Sequence, residues 1–444
     1  MYINQGVYHY QIGQGQSKVR LHLRLEEDGM GTLLVNAGRL FHFNQTAALM
    51  AYLFLEQSEE SKAVSVLTRQ FKVSADDARL DYRSFSRTME QIADPSAPCP
   101  VCDLQLDTDQ PFSRNPSAPY RMDLALTYGC NNQCAHCYND RQRKGKELSL
   151  REWKKVLDIL WDRGIPHIIF TGGEPTLHPD LPELIAYAEK KGQITGINTN
   201  GRKLQAPVFL RQLVDAGLDH IQITIESHLA EIHDGMVGAK GAWAETQLGL
   251  RNVVDSSLYV MTNTTLMKEN SRYLEDTLAF LAEVKVPTVG LNALIYSGGG
   301  LTVGGGLAEK DLSPILDLAR RQTLANGQRL IWYTPTQYCH FNPMQMGLGV
   351  KGCSAALYNM CIEPDGTVIP CQSYYSGLGN ILSDKWDTIW EHPLAMDLRK
   401  RNLAPDECRD CSLLQECGGG CPLARQAGKV TLPQKVDQIA DWMR

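Results

Sequence analysis

No stretch of this 444-residue sequence approaches the roughly 20 consecutive apolar residues that a membrane-spanning helix needs. Its opening, Met1-Tyr2-Ile3-Asn4-Gln5-Gly6, lacks a basic segment followed by an apolar one, so no export signal and no membrane partner are expected and the chain is placed in the cytoplasm. Basic residues are not in excess either, with 44 Lys and Arg against 50 Asp and Glu. A duplex nucleic-acid binder needs a basic surface to replace counterions on phosphate, so that partner is not expected. Cysteine is missing from the whole stretch between Cys137 and Cys339. That gap reads as a scaffold flanked by metal sites.

What is present is thirteen cysteines, and they are clustered. Without an export signal, clustered thiols are expected to hold metal or do redox chemistry rather than form disulfides. Cys99 and Cys102 form a pair; Cys130, Cys134 and Cys137 a triplet; Cys353, Cys361 and Cys371 a looser set with Cys339 upstream; Cys408, Cys411, Cys417 and Cys421 a closing group.

The residues between them suggest three regions. Alternation in Val19-Arg20-Leu21-His22-Leu23-Arg24-Leu25 and in 32–35 predicts strands, and helices are expected from Asn44 through Leu55, over 63–71 and over 74–92. A small sheet with three helices resembles a winged helix over 1–95. Residues 96–119, rich in proline and polar side chains, read as a linker. From 120 to 335 short apolar runs alternate with amphipathic helices, with strands expected at 122–127, 167–170, 194–198, 220–225, 258–266 and 288–295. Ser149 and Glu152 make a capping box for the first helix between them. Six units are too few for a closed eight-stranded barrel, so the expected fold is α/β, a partial (β/α)6 TIM barrel with its chemistry at the C-terminal strand ends.

The chemical motifs fall on that edge. Cys130-x-x-x-Cys134-x-x-Cys137 follows the first strand; three thiolates hold three irons of a cubane cluster and leave the fourth open, the alternative being a zinc loop with a fourth ligand from elsewhere. After the second strand, the glycines of Gly172-Gly173-Glu174-Pro175 let backbone approach a ligand, and the carboxylate suits an ammonium group; a simple turn is the plainer reading. Asn198-Thr199-Asn200-Gly201 follows the third strand, and Gln222-Ile223-Thr224-Ile225-Glu226-Ser227 lies on the fourth.

Together these motifs resemble the radical S-adenosylmethionine superfamily. The resemblance implies a four-iron, four-sulfur cluster on Cys130, Cys134 and Cys137, with His136 beside it. Gly172, Gly173, Glu174 and Pro175 would take the methionyl amino group, and Asn200, Thr224 and Glu226 the ribose and carboxylate. It further implies reductive cleavage of S-adenosylmethionine to a 5′-deoxyadenosyl radical, with an electron donor such as flavodoxin or ferredoxin. Residues 336–444 resemble the SPASM extension, which implies one or two auxiliary iron–sulfur clusters: one on Cys353, Cys361, Cys371 and Cys421, a second on Cys408, Cys411 and Cys417. The family's further downstream cysteine is missing here. A non-cysteine ligand, Cys339, Cys99, Cys102 or an open iron stands in for it. Cys339 is also a candidate catalytic thiol, or an ordinary buried cysteine. Cys99 and Cys102 have the spacing of half a zinc site or a redox pair. The glycine-rich run 297–306 is expected to be a mobile lid or a flexible loop.

The N-terminal region resembles the peptide-chaperone domain of pyrroloquinoline quinone biosynthesis, through Leu33-Leu34-Val35-Asn36, Phe43-Asn44-Gln45-Thr46-Ala47, 64–67 and 82–89. This implies a ribosomally made precursor peptide as partner, its leader added as a strand to the exposed sheet edge. The expected function is radical modification of that peptide, by crosslink, epimerisation or excision. The alternatives are a maturase of a small molecule or tetrapyrrole, and a non-catalytic iron–sulfur or zinc protein.

Overall fold

The computed structural model describes residues 4–13, 18–36, 38–94, 116–139 and 145–428; Cys99, Cys102 and most of the expected linker lie outside them. The N-terminal part is a four-stranded antiparallel sheet in the order β1 (Gly6–Ile12), β2 (Val19–Leu25), β3 (Gly31–Val35), β4 (Arg39–Phe43). Three helices follow, α1 (Gln45–Leu55), α2 (Glu60–Gln70) and α3 (Ala75–Ala93). Asn44 caps α1 by accepting from Ala47 N, and Ser74 caps α3 by accepting from Asp77 N.

The alternation in β2 predicts one buried and one wet face, yet both are buried. Leu21, Leu23 and Leu25 pack with Phe41, Ala51, Met89 and Ile92. Arg20, His22 and Arg24, no more than 4% exposed, point the other way into the large C-terminal body. There Arg20 donates to Gln193 O (2.6 Å) and pairs with Asp219 (3.1 Å), and His22 Nε2 lies 2.7 Å from Gly192 O. Arg24 donates to Ala118 O (3.0 Å) and covers the Tyr120 ring. Buried cations need partners, and the lower loops of the barrel provide them.

That body is built on one sheet. Its βα units are β5 (Arg121–Thr127), α4 (Leu150–Asp162), β6 (His167–Gly172), α5 (Leu181–Lys191), β7 (Ile194–Thr199), α6 (Pro207–Asp215), β8 (His220–Thr224), α7 (Ala230–Val237), α8 (Ala242–Val254), β9 (Tyr259–Leu266), α9 (Leu274–Glu283), β10 (Thr288–Ala293), α10 (Leu312–Ala325) and β11 (Arg329–Trp332). β12 (Asn359–Ile362), β13 (Thr367–Ile369) and β14 (Gly379–Asn380) complete it, in the order β11-β10-β9-β8-β7-β6-β5-β12-β13-β14. Every pair from β11 to β12 is parallel, and only the β12–β13–β14 hairpins are antiparallel.

The six expected strands are there, and β11 is a seventh. It is four residues long and opens with an exposed arginine, too short for an alternation to show. β12 pairs with β5, so residues on both sides of position 335 share one sheet. Among the described residues the sheet does not join its two ends, as in a partial barrel. Its core lies between strands and outer helices, where Trp153, Val156, Leu157 and Leu160 of α4 are fully buried and the Ser149–Glu152 capping box is formed.

Candidate active site

β5 runs into the cysteine loop, which is held mainly by backbone. Gly173 N donates to Thr127 O (2.7 Å) and Glu174 N to Gly129 O (2.8 Å), tying the end of β6 to the start of the loop. Gln133 N reaches Val237 O (2.8 Å), and Gly299 N reaches Cys137 O (2.8 Å). Cys130 is exposed, and Cys134 and Cys137 are half-buried. Asn132 N points at Cys130 Sγ from 3.3 Å. An amide aimed at sulfur favours the thiolate that iron requires.

The glycines serve this packing. A Cβ on Gly172 would lie 2.3 Å from Thr127 O, and one on Gly173 would lie 2.3 Å from Gly129 O and 2.6 Å from Tyr128 O. The close approach read from the sequence as room for a ligand is made by the cysteine loop itself. The run expected as a lid behaves likewise. A Cβ on Gly298 would meet Tyr138 O at 2.6 Å and one on Gly299 would meet Ala135 O at 2.4 Å, so residues 298–299 form a clasp on the loop. Ser297 Oγ ties that clasp to Ser373 O (2.8 Å) in the C-terminal region.

Glu174 is buried at the N-terminus of a short 3-10 turn, Pro175–Leu177. Its Oε1 accepts from Thr176 N, Thr176 Oγ1 and Thr199 Oγ1 at 3.0, 2.7 and 2.6 Å, and its Oε2 accepts from Asn200 N at 2.8 Å. Burial pushes this carboxyl up while those four donors pull it down. A carboxylate offers about four acceptor sites, so only Oε2 keeps capacity for an incoming ammonium. Glu226, also buried, receives His136 Nε2 at 3.0 Å and Thr265 N at 2.9 Å. Asn200 Nδ2 donates to Asn131 Oδ1 (2.6 Å), and Thr224 ends β8 half-buried beside Asn263. Arg202 was not anticipated: it donates to Asn132 Oδ1 (2.9 Å) and pairs with Glu245 (2.5 Å), clamping the cysteine loop from the third strand end. A lone arginine after Asn200-Gly201 carries no signal of that role in the sequence.

The C-terminal cysteines fall into two groups. Cys353, Cys371 and Cys421 face the barrel cavity and lie within electrostatic range of one another. Burial holds the Cys371 thiol up at about 11 and the Cys421 thiol at about 12. Each receives the backbone N–H two residues on, from Ala355, Ser373 and Leu423 respectively, repeating the Cys130 geometry. Cys361 differs. It too lies within electrostatic range of Cys371, but Met360 and Ile362 of β12 enter the main core, which turns Cys361 to the other face, against Ala125, Ile369 and Tyr375, with its amide donor from β5. The second group is Cys408, Cys411 and Cys417, and the loop carrying Cys339 packs on it: Tyr338 N points at Cys417 Sγ (3.4 Å), and the Cys339 thiol is raised to about 11 by burial, then by Cys417 and Cys408. Among the described residues no three His, Cys, Asp or Glu side chains converge on a single ion.

A cavity of about 2060 Å3 joins these parts. It is lined at the upper rim by Cys130, Glu174, Asn200 and Glu226, on one flank by Cys353, Cys371 and Cys421, and at the lower mouth by Gly38, Arg39 and Leu40 of the N-terminal sheet.

The sequence profile of the Radical SAM superfamily matches residues 124–281, and that of SPASM, an iron–sulfur cluster-binding domain, matches 353–412. The mycofactocin maturase MftC of Mycobacterium ulcerans is 30% identical over 335 residues, covering 71% of this chain and 86% of its own length. Fe-coproporphyrin III synthase of Methanosarcina barkeri is 28% identical over 332 residues, covering 68% of this chain and 83% of its own. Streptococcus suis SuiB bound to its precursor peptide SuiA shares the fold with a TM-score of 0.69 at 15% identity, over 98% of this chain and 100% of that one.

Proposed function

Because the chain belongs to the Radical SAM superfamily and carries a SPASM iron–sulfur domain, we propose that it cleaves S-adenosylmethionine reductively and modifies a ribosomally made precursor peptide. The observation that carries this reading is the single cavity that joins the cysteine loop to the edge of the N-terminal sheet. When bound, the cluster and S-adenosylmethionine supply an electron and, by carbon–sulfur homolysis, a 5′-deoxyadenosyl radical. The protein's own residues orient and exclude. Cys130, Cys134 and Cys137 each take one iron and leave a fourth open. Glu174 Oε2 receives the methionyl ammonium, the Gly172–Gly173 backbone fixes the loop, and Asn200, Thr224 and the His136–Glu226 pair frame the rest of the cofactor.

For the auxiliary clusters the reading follows the two groupings. One cluster takes Cys353, Cys371 and Cys421 and faces the cavity. The other takes Cys408, Cys411 and Cys417, with Cys339 replacing the missing downstream cysteine, so Cys339 is read as a ligand and not as the catalytic thiol. Cys361 is read as a packed thiol. The peptide's leader adds to the edge of β4, which pairs with no further strand among the described residues and whose Arg39 and Leu40 line the cavity mouth. The electron donor is a flavodoxin or ferredoxin in the cytoplasm, and neither nucleic acid nor membrane is a partner; no described helix is long and apolar enough to cross one. A tetrapyrrole substrate is the second reading, favoured by the relative of similar identity that is named a coproporphyrin synthase.

Anaerobically reconstituted protein given S-adenosylmethionine and a reductant should form 5′-deoxyadenosine, and Cys134→Ala should not. With the product of a short reading frame beside the gene, a mass change in that peptide should follow. Cleavage without any mass change in a bound precursor would remove the peptide reading.

A further inference from the structure

The cavity is electrically divided. Its upper half carries Glu174, Glu226 and Glu309 and no Lys or Arg among the described lining residues, which suits a cationic cofactor. Its lower half is lined by Lys18, Arg20, Arg39, Arg121 and Arg329 against one carboxylate, Asp219. Two more acids stand just behind the lining, so that Lys18 pairs with Glu189 (3.0 Å), Arg20 with Asp219 (3.1 Å) and Arg121 with Asp123 (3.0 Å). Arg329, exposed at the start of the edge strand β11, has no ion-pair partner among the described residues. Its charged neighbour is another cation, Lys351. The field reaches the two histidines at the same level, where His167 and His220 touch through Nε2 at 3.0 Å; burial and then Arg121 keep His220 down at about 4.

A chain with a formal net charge of −6 thus concentrates an excess of positive charge at the bottom of its barrel. Two aromatic rings stand in the same space: Tyr259 and Tyr333 are 45% and 38% exposed, with Tyr333 Oη on Met261 Sδ at 3.4 Å. Large exposed rings beside a cation without a counter-charge, inside a cavity, mark a surface built to be covered. β9 sets the scale: Tyr259 at its foot and Thr265 at its head are six strand steps apart, about 20 Å for an extended chain.

We propose that the lower half of the barrel lumen binds an acidic stretch of the peptide substrate in extended form, its carboxylates on Arg329 and Arg121 and its backbone along Tyr259 and Tyr333. The stretch sits about six residues from the residue presented to the cofactor, because that is the length of strand between the two levels. This deepens the peptide reading above and rests on it.

The test uses the reconstituted full-length holoenzyme and a fluorescein-labelled peptide of alternating Glu and Gly, with a Gln–Gly peptide of equal length as comparator. Anisotropy should show binding of the Glu peptide and none of the Gln peptide. Arg329→Glu should weaken the Glu peptide at least about tenfold, the scale expected when a repulsion replaces a charge-assisted hydrogen bond. Arg321→Glu makes the same charge change at a position 66% exposed on α10, away from the lining, and should leave binding unchanged. Equal binding of both peptides, equal weakening by both variants, or no effect of Arg329→Glu overturns the proposal. Any of these results leaves peptide maturation standing, since that reading is judged by the precursor's mass change. A small polycarboxylate that displaces nothing, while the Glu peptide binds through Arg329, places the recognition in a chain of carboxylates; complete displacement by it assigns the site to a small acid and overturns the peptide ligand.

Discussion

Replacing Gly173 by alanine separates two explanations of the Gly-Gly-Glu-Pro turn. If the glycine is there for a ligand, Gly173→Ala weakens S-adenosylmethionine binding and spares the cluster. The packing says the reverse. A Cβ would sit 2.3 Å from Gly129 O and 2.6 Å from Tyr128 O, and both are backbone atoms with no rotamer to yield. To restore ordinary contact the loop must withdraw by about 1 Å, and overpacking of this kind costs about 1–3 kcal/mol. The atoms that move precede Cys130 directly, and the 2.8 Å bond from Glu174 N to Gly129 O is strained with them. The expected outcome is an incompletely filled first cluster, read as iron and sulfide per chain and as loss of its reduced-state EPR signal. A Cys130, Cys134, Cys137→Ala variant fixes the auxiliary-cluster baseline, which Gly173→Ala should keep. Full iron content with only weakened S-adenosylmethionine binding would refute the reasoning.

The remaining predictions concern other parts of the frame. Arg20→Leu leaves the Asp219 carboxylate and the Gln193 carbonyl without their cation, and the cost is on the order of 2–4 kcal/mol once the partial exposure of Glu189 is discounted; faster hydrogen exchange in β2 and a lower Tm would show it, and an unchanged β2 would count against the docking. Burial and then Arg121 depress His220 to about 4 from 6.5, so the unfolded chain takes the proton first; the stability contribution is complete above pH 6.5 and lost as pH falls toward 4. His220→Gln should flatten the apo protein's loss of denaturation free energy in that window, and an identical pH slope would contradict the assignment. Cys339→Ser should lower auxiliary-cluster iron while Cys361→Ser leaves it near wild type, by iron analysis and Mössbauer spectroscopy; the opposite ranking would restore the grouping that the family resemblance implies.

Much of the frame was legible because it rests on short-range chemistry. The caps at Asn44, Ser74 and Ser149 act on amides three residues away, and β5, β6, β7 and β10 are buried nearly end to end, whereas β8 and β9 alternate buried residues with residues that line the cavity. What was not legible depends on which distant surface meets a residue. Alternation in β2 shows that Arg20, His22 and Arg24 share a face, and nothing local shows that the face meets α5 and the loop before β7. The resemblance puts Cys361 and Cys371 on one cluster, and nothing local shows that the pleat of β12 turns the Cys361 thiol toward Ala125 while a loop far up the chain brings Cys339 to Cys417.

The glycines show the same limit in its sharpest form. Gly172, Gly173, Gly298 and Gly299 each report that something comes close, and in every case that something is a carbonyl of the segment 127–139. Four glycines from two separate strand ends thus converge on one loop, and a loop gripped by backbone on both sides can hold three thiolates at fixed spacing before any iron arrives. The same grip accounts for a carboxylate, Glu174, spending most of its acceptor capacity on protein donors: its structural duty of joining the ends of β6 and β7 comes first, and what it leaves open is acceptor capacity on Oε2 in a site that is already rigid.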